Sequence, residues 1–301
     1  MELRQLRQFV MVAEQLNFRR AAQMLHMAQP PLSVAIRHLE EELGQRLFAR
    51  KGRGIELTEA GHAAHDAARR CLASARDVVT AVRAVAGAET GQLRLAFVGS
   101  ATFSALPRLL PAFRGRYPGV ELVLSEATNL QALQQLEARD IDVALVRYPT
   151  THLGALTYEM VERDTLCAAL PAGHPLARKR SLSLAQLAGQ PFIDYAATQV
   201  PGLHALVAFA FQQAGLAPQV VQQATQVQTV ISLVQSGLGV ALVPSVVRHQ
   251  APRHVVLRPV TGVPDKPEMG IAMAFAASHA PATVALMREV AERCPCGTLA
   301  P

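Results

Sequence analysis

The stretch AAQMLHMAQPPLSVAIRHLEEELGQRLFAR, residues 21–50, decides the fold of the N-terminal part of the chain. After a break at residues 26–28, apolar side chains recur at helical spacing at Leu32, Ile36, Leu39 and Leu43. A helix that Asn17 can cap precedes the break, and a first helix has its own apolar face, formed by Leu3, Leu6, Phe9, Val10 and Ala13. Three short helices with a tight turn between the second and third predict a helix-turn-helix, whose last helix enters the major groove of DNA.

The third predicted helix has a polar face opposite its apolar stripe. Proline is tolerated in the first turn because the first amides of a helix need no helical partner. Side chains that point away from the core are placed to reach bases and phosphates. The candidate DNA-contacting residues of this helix are Gln29, Pro30, Pro31, Ser33 and Arg37.

A basic loop follows the helix-turn-helix. Residues 47–50 and 55–57 are predicted to be two short strands around it, which makes the segment a two-stranded wing. Arg50, Lys51 and Arg53 are candidate phosphate contacts, which supply affinity but little sequence information. The alternative is that these charges form only a solvated face. Residues 1–58 hold nine Lys or Arg against six Asp or Glu, so this end carries much of the net charge of +6 and indicates a nucleic-acid partner.

One long helix is predicted over residues 58–87, with Thr58 as its N-cap. Its narrow apolar stripe consists of Ala60, Ala64, Ala67, Cys71, Ala75, Val78, Val82 and Val85. At about 1.5 Å per residue the helix spans about 45 Å, which a small domain cannot cover. We therefore expect it to pair with its copy in a dimer.

From residue 92 onward, short apolar strands alternate with helical segments. The predicted strands are Leu93–Val98, Val120–Leu124, Ile141–Val146, Leu166–Leu170, Phe192–Ile193, Val220–Val221, Val240–Val243 and Gly270–Phe275. This alternation predicts parallel α/β sheets. The fold class is therefore α + α/β, a helical N-terminal part followed by an α/β part.

The motif around the turn resembles the LysR-type transcriptional regulators. The matching residues are Ala21, Ala22, Leu25, Gln29, Pro30, Leu32, Ser33, Ile36, Leu39, Glu40, Leu43, Gly44, Leu47, Phe48, Arg50, Leu57, Thr58, Ala60 and Gly61. The resemblance implies a winged helix-turn-helix domain at 1–58, a linker and dimerisation helix with a hinge at 59–90, and an effector-binding regulatory domain at 91–301. The sequence departs from the family after Ser33, where members often carry a polar or basic residue and this chain has Val34 and Ala35.

The resemblance also implies the plan of the regulatory domain, which is similar to a periplasmic solute-binding fold with two α/β halves and an effector in the cleft. The first half is expected to comprise residues 91–163 and 267–295, and the second half residues 164–266. The chain then crosses between the halves near 162–164 and again near 264–269.

Hydroxyl groups follow two of the predicted strands in this domain. Such positions offer free backbone amides and the positive end of a helix dipole, which suit an anion, and ligands bind at strand ends of open α/β sheets. The alternative is ordinary N-capping, which needs only one hydroxyl at each helix. The candidate effector-binding residues here are Ser100, Ala101, Thr102, Phe103 and Thr128.

Three further candidates complete the predicted cleft. Arg147 ends a strand, where its guanidinium can receive a carboxylate or can pair with an internal Asp or Glu. By the resemblance, His204 and the segment 225–229 of the second half, which includes Val227 and Gln228, face the same cleft. Without the resemblance, a lone histidine is more often a structural residue.

The function implied is that of an effector-responsive transcriptional regulator. The resemblance implies a dimer of dimers that binds and bends double-stranded promoter DNA, contacts RNA polymerase as an activator, and responds to a small organic acid. Three short strings, at 29–33, 97–100 and 146–149, resemble the branch that controls aromatic-compound catabolism, whose effectors are carboxylates such as benzoate or muconate.

Other classes of protein are less well supported. The alternative function is a redox-sensing regulator that uses Cys167 or the pair Cys294 and Cys296, which are separated by a proline. No enzyme is expected, because the Walker loop, Gly-x-Ser-x-Gly and His-Glu-x-x-His patterns are absent, and no cofactor or metal is expected. Without a secretory signal or an apolar run of about 18 residues, we expect a cytoplasmic chain with no membrane partner.

Overall fold

The computed structural model describes residues 1–52, 54–85, 90–150, 154–262 and 269–294. The chain divides into two compact units, one formed by Met1–Ala86 with Ala138–Asp140 and the other by Gly87–Glu137 with Ile141–Pro301. Within the described ranges, every helix is either too short or too polar to span a membrane.

The first unit begins with three helices, α1 (Leu3–Gln15), α2 (Phe18–Met24) and α3 (Gln29–Leu43). Local signals set their ends. The Asn17 side chain accepts a hydrogen bond from the amide of Arg20 at 3.0 Å, and Gly44 ends α3 with a left-handed φ of 67°. The apolar faces meet in one core, which includes Phe9, Val12, Leu32, Leu39 and Leu47. The predicted helix-turn-helix is confirmed.

Two short strands and a long helix complete this unit. Strands β1 (Phe48–Lys51) and β2 (Gly54–Leu57) pair antiparallel as the predicted wing. Helix α4 (Glu59–Val85) has 27 residues, and the Thr58 hydroxyl accepts a hydrogen bond from the amide of Gly61 at 2.9 Å, as expected of its N-cap. Residues 86 and 87 of the predicted long helix lie outside the described residues.

The first half of the second unit is a five-stranded sheet in the order β4-β3-β5-β13-β6. Its strands are β3 (Gly91–Phe97), β4 (Val120–Glu126), β5 (Val143–Tyr148), β6 (Thr157–Asp164) and β13 (Met269–Phe275). Three α-helices accompany it, α5 (Ala105–Arg116), α6 (Asn129–Glu137) and α10 (Ala282–Arg293). A 3-10 helix, Gly99–Phe103, joins β3 to α5.

The second half contains a four-stranded sheet in the order β11-β7-β12-β8 and a parallel pair of β9 and β10. Its strands are β7 (Leu166–Pro171), β8 (Leu182–Ser183), β9 (Pro191–Tyr195), β10 (Gln219–Ala224), β11 (Ala241–Pro244) and β12 (Val255–Thr261). Its α-helices are α7 (Leu184–Ala188), α8 (Pro201–Gln213) and α9 (Val227–Gln235). Each half has its own apolar core.

The prediction of parallel sheets is correct for some of the strand pairs: β3 runs parallel to β4 and β5, and β9 runs parallel to β10. Both larger sheets also contain antiparallel pairs. Strand β13 runs antiparallel to both β5 and β6, and β7 runs antiparallel to both β11 and β12. In the first half, the cause is the route of the chain, because β13 comes back from the second half and enters the sheet from the opposite end. The first crossover joins β6, which ends at Asp164, to β7, while residues 263–268 of the second lie outside the described residues.

Candidate nucleic-acid interface and ligand cleft

Helix α3 has a buried face and an exposed face that the sequence spacing fixes. Leu32, Ile36 and Leu39 are buried against α1 and α2 in the core of the first unit. The predicted DNA-contacting residues all lie on the exposed side; they are Gln29, Pro30, Pro31, Ser33 and Arg37. Val34 is exposed beside them. The Arg37 Nε lies 3.7 Å from the Glu41 carboxylate, but both side chains are largely exposed, so this pair restrains the guanidinium only weakly.

The wing carries its predicted cations on an exposed hairpin. Gly52 has a φ of +56°, which a glycine adopts without strain at the turn. The Arg50 side chain is exposed, while the Lys51 ammonium lies 2.6 Å from Glu56 on the neighbouring strand. The hydrogen bond to Glu56 raises the pKa of Lys51 above its ordinary value of 10.5, so Lys51 stays charged. Arg53, the third predicted phosphate contact, lies outside the described residues.

A buried carboxylate joins α3 to the wing. Glu40 is only 8% exposed, and its carboxylate accepts hydrogen bonds from the amides of Leu47 at 2.8 Å and Phe48 at 3.2 Å. The Arg46 guanidinium donates to the same carboxylate at 2.9 Å. Glu40 therefore fixes the start of β1 relative to the C-terminal end of α3. The sequence signal for this role was an acidic residue next to Leu39 in the buried stripe.

In the second unit, Arg147 lies at the end of β5 and is 3% exposed. Its Nη1 donates to Asp164 at 2.8 Å, and its Nε donates to the Ser100 hydroxyl at 3.3 Å. Two roles were left open for Arg147, binding a ligand carboxylate or pairing with an internal Asp or Glu. The structure shows the internal pair, with Asp164. The Nη2 atom is also buried, and it has no hydrogen-bond partner within the described ranges, so the guanidinium retains a donor that a ligand can use.

Asp164 connects the two halves of this unit. Besides Arg147 of the first half, its carboxylate accepts hydrogen bonds from the Ser245 hydroxyl and from the amide of Val246, at 3.1 Å, in the second half. The amide of Thr165 adds another at 2.8 Å. A single buried carboxylate thus holds groups from both sides of the first crossover.

The hydroxyls at the strand ends differ in what they bind. The Thr102 hydroxyl donates to the carbonyl of Gly99 at 2.6 Å, within its own turn. The Thr128 hydroxyl accepts from the amide of Gln131 and donates to its side chain, which is the capping alternative. Ser100 differs, because its hydroxyl accepts from Arg147 and keeps its own proton for another acceptor.

Three other predicted effector residues have buried side chains. Ala101 lies in the core of the first half, and Val227 lies in the core of the second half at the start of α9. Phe103 follows β3 of the first half but packs into the core of the second half. These side chains therefore pack within the apolar cores of the two halves, and only the backbone groups of these residues remain as contacts for a ligand.

His204 lies on α8, where its Nδ1 is 3.0 Å from the Asp194 carboxylate. Both residues line a groove of about 420 Å³ between α8 and β10, with Val207, Phe211, Leu216 and Val220 among its apolar walls. The structure thus gives His204 the structural partner that a lone histidine usually has. Its placement in the cleft remains a prediction from the family resemblance.

Two buried polar atoms lie in the second half, on β9 and α9. Sequence analysis missed Tyr195, whereas Gln228 belongs to the segment 225–229 that the resemblance places in the cleft. The Tyr195 hydroxyl and Gln228 Oε1 are buried and have no hydrogen-bond partner among the residues that the structure describes. Burial also raises the pKa of Tyr195, so its hydroxyl stays protonated. A Cβ at Gly99 would lie 2.8 Å from Glu126 Oε1 and 2.9 Å from Gln228 Nε2, so the ends of these two side chains approach the Gly99 backbone closely. A glycine shortly after a strand was the one feature of the sequence that could have indicated this close approach.

The cysteines lie in unlike surroundings. Cys167 is buried on β7, and burial raises the pKa of its thiol to about 12. The thiolate is the nucleophile in oxidation, so this shift disfavours Cys167 as a redox sensor. Cys71 is exposed, Cys294 is half-buried, and Cys296 lies outside the described residues. In the described part of the chain, no group of His, Cys, Asp and Glu side chains is arranged to hold a metal ion.

Comparison with known proteins accounts for both parts of the chain. The family "Bacterial regulatory helix-turn-helix protein, lysR family" matches residues 3–62, and "LysR substrate binding domain" matches residues 86–295. The transcriptional regulator AlsR of Bacillus subtilis is 38% identical over 245 residues, covering 81% of each chain. The Hca operon transcriptional activator HcaR of Escherichia coli is 36% identical over 275 residues, covering 91% of this chain and 92% of that protein. The crystal structure of full-length CbnR complexed with its target DNA has a TM-score of 0.75 and 28% identity, covering 98% of this chain and 100% of CbnR.

Proposed function

This chain belongs to the LysR family of bacterial transcriptional regulators, and from that premise we propose that it is an effector-responsive regulator that bends promoter DNA as a dimer of dimers. The family is one of DNA-binding regulators and not of enzymes, which confirms the expectation that the chain catalyses no reaction. Since its DNA target is a bacterial promoter, its place of action is the cytoplasm.

The proposed DNA contacts divide into two kinds. Gln29, Ser33 and Arg37 on α3 reach base edges in the major groove, and Pro30 and Pro31 lie at the N-terminal end of the helix, which is the end that approaches the bases. Arg50, Lys51 and Arg53 of the wing bind phosphates. The exposure of the α3 face and of the described wing cations supports this division.

The proposed effector is a small organic acid bound beside Ser100 and Arg147. The observation that carries this proposal is the buried Arg147 Nη2, which lacks a partner in the described residues and lies on the guanidinium that also holds Ser100. A carboxylate there accepts from Nη2 and from the Ser100 hydroxyl. The Tyr195 hydroxyl and Gln228 Oε1, which are also unpartnered within the described residues, suit further polar groups of the ligand. We propose the benzoate- and muconate-like acids as the first class to test.

Exposed apolar side chains support the proposed oligomer. Val78 and Val82, four residues apart on α4, are 63% and 68% exposed, which fits a helix that pairs with its copy. In the second unit, β4 and β10 are outer strands with exposed apolar residues, among them Val123 and Val220. Uncovered outer strands of this kind favour association. Effector binding then shifts the tetramer between two arrangements, changing the DNA bend and the contact with RNA polymerase.

Thermal unfolding of the full chain with a panel of aromatic and dicarboxylic acids tests the effector proposal. A ligand that binds only the folded state at a hundredfold excess over its Kd stabilises by about 2.7 kcal/mol, so it raises the Tm. Ser100→Ala should weaken the response to a hit, whereas Ser236→Ala, a matched change at the end of α9, should leave it intact. A panel without any hit, or a hit that Ser100→Ala leaves unchanged, contradicts the proposed acid site.

A further inference from the structure

Val34 is an exposed apolar side chain in the middle of the DNA-facing surface of α3. It is 41% exposed, although Leu32 and Ile36 on the opposite face are almost completely buried. Pro30 and Arg37 lie four residues before it and three residues after it, so all three share one side of the helix. A single exposed valine is ordinary on a protein surface. Its position among polar residues at the N-terminal half of a recognition helix calls for a specific partner.

The chemistry of the major groove limits what that partner can be. Base edges there present hydrogen-bond donors and acceptors, and the one apolar group among them is the C5 methyl of thymine. Valine has no hydrogen-bonding group, so covering a polar base edge with it would desolvate that edge without any compensating bond. Its β-branched side chain also has a single preferred rotamer in a helix, so its methyl groups are held in a fixed direction.

We propose that Val34 packs against the C5 methyl group of a thymine in each half-site and thereby selects thymine over cytosine at that position. This inference rests on the proposed contact of α3 with DNA. Its neighbours Ser33 and Arg37 bind polar groups, and Val34 supplies the apolar part of the recognition. Because the two heads of a dimer meet DNA through two-fold symmetry, the thymine occurs at equivalent positions in the two half-sites.

Replacement of thymine by deoxyuridine tests the contact, because it removes only the methyl group. The full chain first selects a binding duplex from a random-sequence pool. Each thymine of that duplex is then replaced singly by deoxyuridine, and the Kd is measured for the wild-type chain and for Val34→Ala. At one thymine in each half-site, this replacement should raise the Kd of the wild type about fourfold, which corresponds to the free energy of burying one methyl group. Val34→Ala should lose most of that penalty.

Leu43→Ala is the matched control, because Leu43 is 42% exposed on the same helix but lies at its C-terminal end. This variant should keep the full deoxyuridine penalty. The role of Val34 is overturned if the wild type binds every deoxyuridine duplex as tightly as the thymine duplex, or if Val34→Ala keeps the full penalty. The proposed function still stands in that case, because the chain has selected a specific duplex. If the full chain selects no sequence from the pool, the proposed function itself is wrong.

Discussion

Arg147 Nη1 donates to Asp164 Oδ2 at 2.8 Å, and both side chains are almost fully buried, at 4% and 0% exposed. The pair links β5 to the end of β6, where the chain leaves the first half of the regulatory unit. Since Asp164 also accepts from Ser245 and Val246, the pair belongs to a network that joins the two halves. A ligand that binds Arg147 Nη2 therefore acts directly on the group that connects them.

Asp164→Asn should destabilise the chain severely. Removing one partner of a buried ion pair leaves the other charge uncompensated, at a cost of about 3–5 kcal/mol in the free energy of unfolding. Denaturant titration of the full chain measures this loss. Glu159→Gln, which breaks the half-exposed pair with Arg288, is the matched control and should cost little. If the two variants lose equal stability, the buried network does not hold the halves.

Glu40→Gln should weaken both the DNA-binding unit and its affinity for DNA. Both amides at the start of β1 donate to one oxygen of the Glu40 carboxylate, and the Arg46 guanidinium donates to the other. In Glu40→Gln the amide oxygen still accepts from the two amides, but the charge that strengthens these bonds is lost and the NH2 group faces the Arg46 guanidinium, at a cost of about 1–3 kcal/mol. Denaturant titration and operator binding measure the two effects. The control is Glu41→Gln on the exposed face of the same helix, which should preserve stability. A stable Glu40→Gln chain with weakened DNA binding would limit the role of Glu40 to the wing.

The wing cations should set part of the salt dependence of DNA binding. Each phosphate contact contributes about 0.9 to the slope of log K against log salt, so Arg50→Ala with Lys51→Ala should reduce the slope by up to about 1.8. Arg293→Ala, an exposed arginine of the second unit, is the control. A slope that is the same in all three proteins would exclude the wing from phosphate binding.

Acid should destabilise the junction between α1 and α4 through His65. Burial is the main cause that lowers the pKa of His65 below its ordinary value of 6.5, with Arg69 and His62 acting in the same direction and Glu14 and Asp66 opposing them. The unfolded chain therefore takes up this proton first as the pH falls below about 6.5, and the free energy of unfolding drops until the folded pKa is reached.

The comparison of pH 7.5 with pH 5.5 by urea titration measures this effect. His65→Leu should lose less stability on acidification than the wild type does, because it removes the titrating group next to Phe9. His38→Gln, at an exposed position of α3, should behave as the wild type. An identical loss in His65→Leu and the wild type would show that His65 does not contribute to the acid sensitivity.

Local signals predicted the DNA-binding unit well. The cap at Asn17 and the apolar stripe of α3 act over a few residues, so they are visible in the sequence. Strand β6 was not predicted, because its sequence TYEMVERD is mostly polar and only Val161 joins the core. The antiparallel entry of β13 depends on the return path through the second half, which no local pattern encodes.

The cleft was predicted less completely for the same reason. Arg147 was identified from its place after a strand, but Asp164, its partner, lies on another strand. Tyr195 and Gln228 come from the second half, and only the folded chain shows that their polar atoms are buried without partners among the described residues. Thr128 has the hydroxyl that the pattern favoured, and its hydrogen bonds are those of a helix cap.

In the proposed function, the exposed face of α3 recognises DNA sequence as part of a symmetric dimer. Selection from a random-sequence pool by the full chain tests this recognition most directly. A symmetric dimer should enrich an inverted repeat with half-site centres separated by about one helical turn or a multiple of it. Ser33→Ala with Arg37→Ala should abolish the enrichment while non-specific affinity at low salt persists. An enriched site without two-fold symmetry, or one that the double variant selects equally well, would contradict the proposed function.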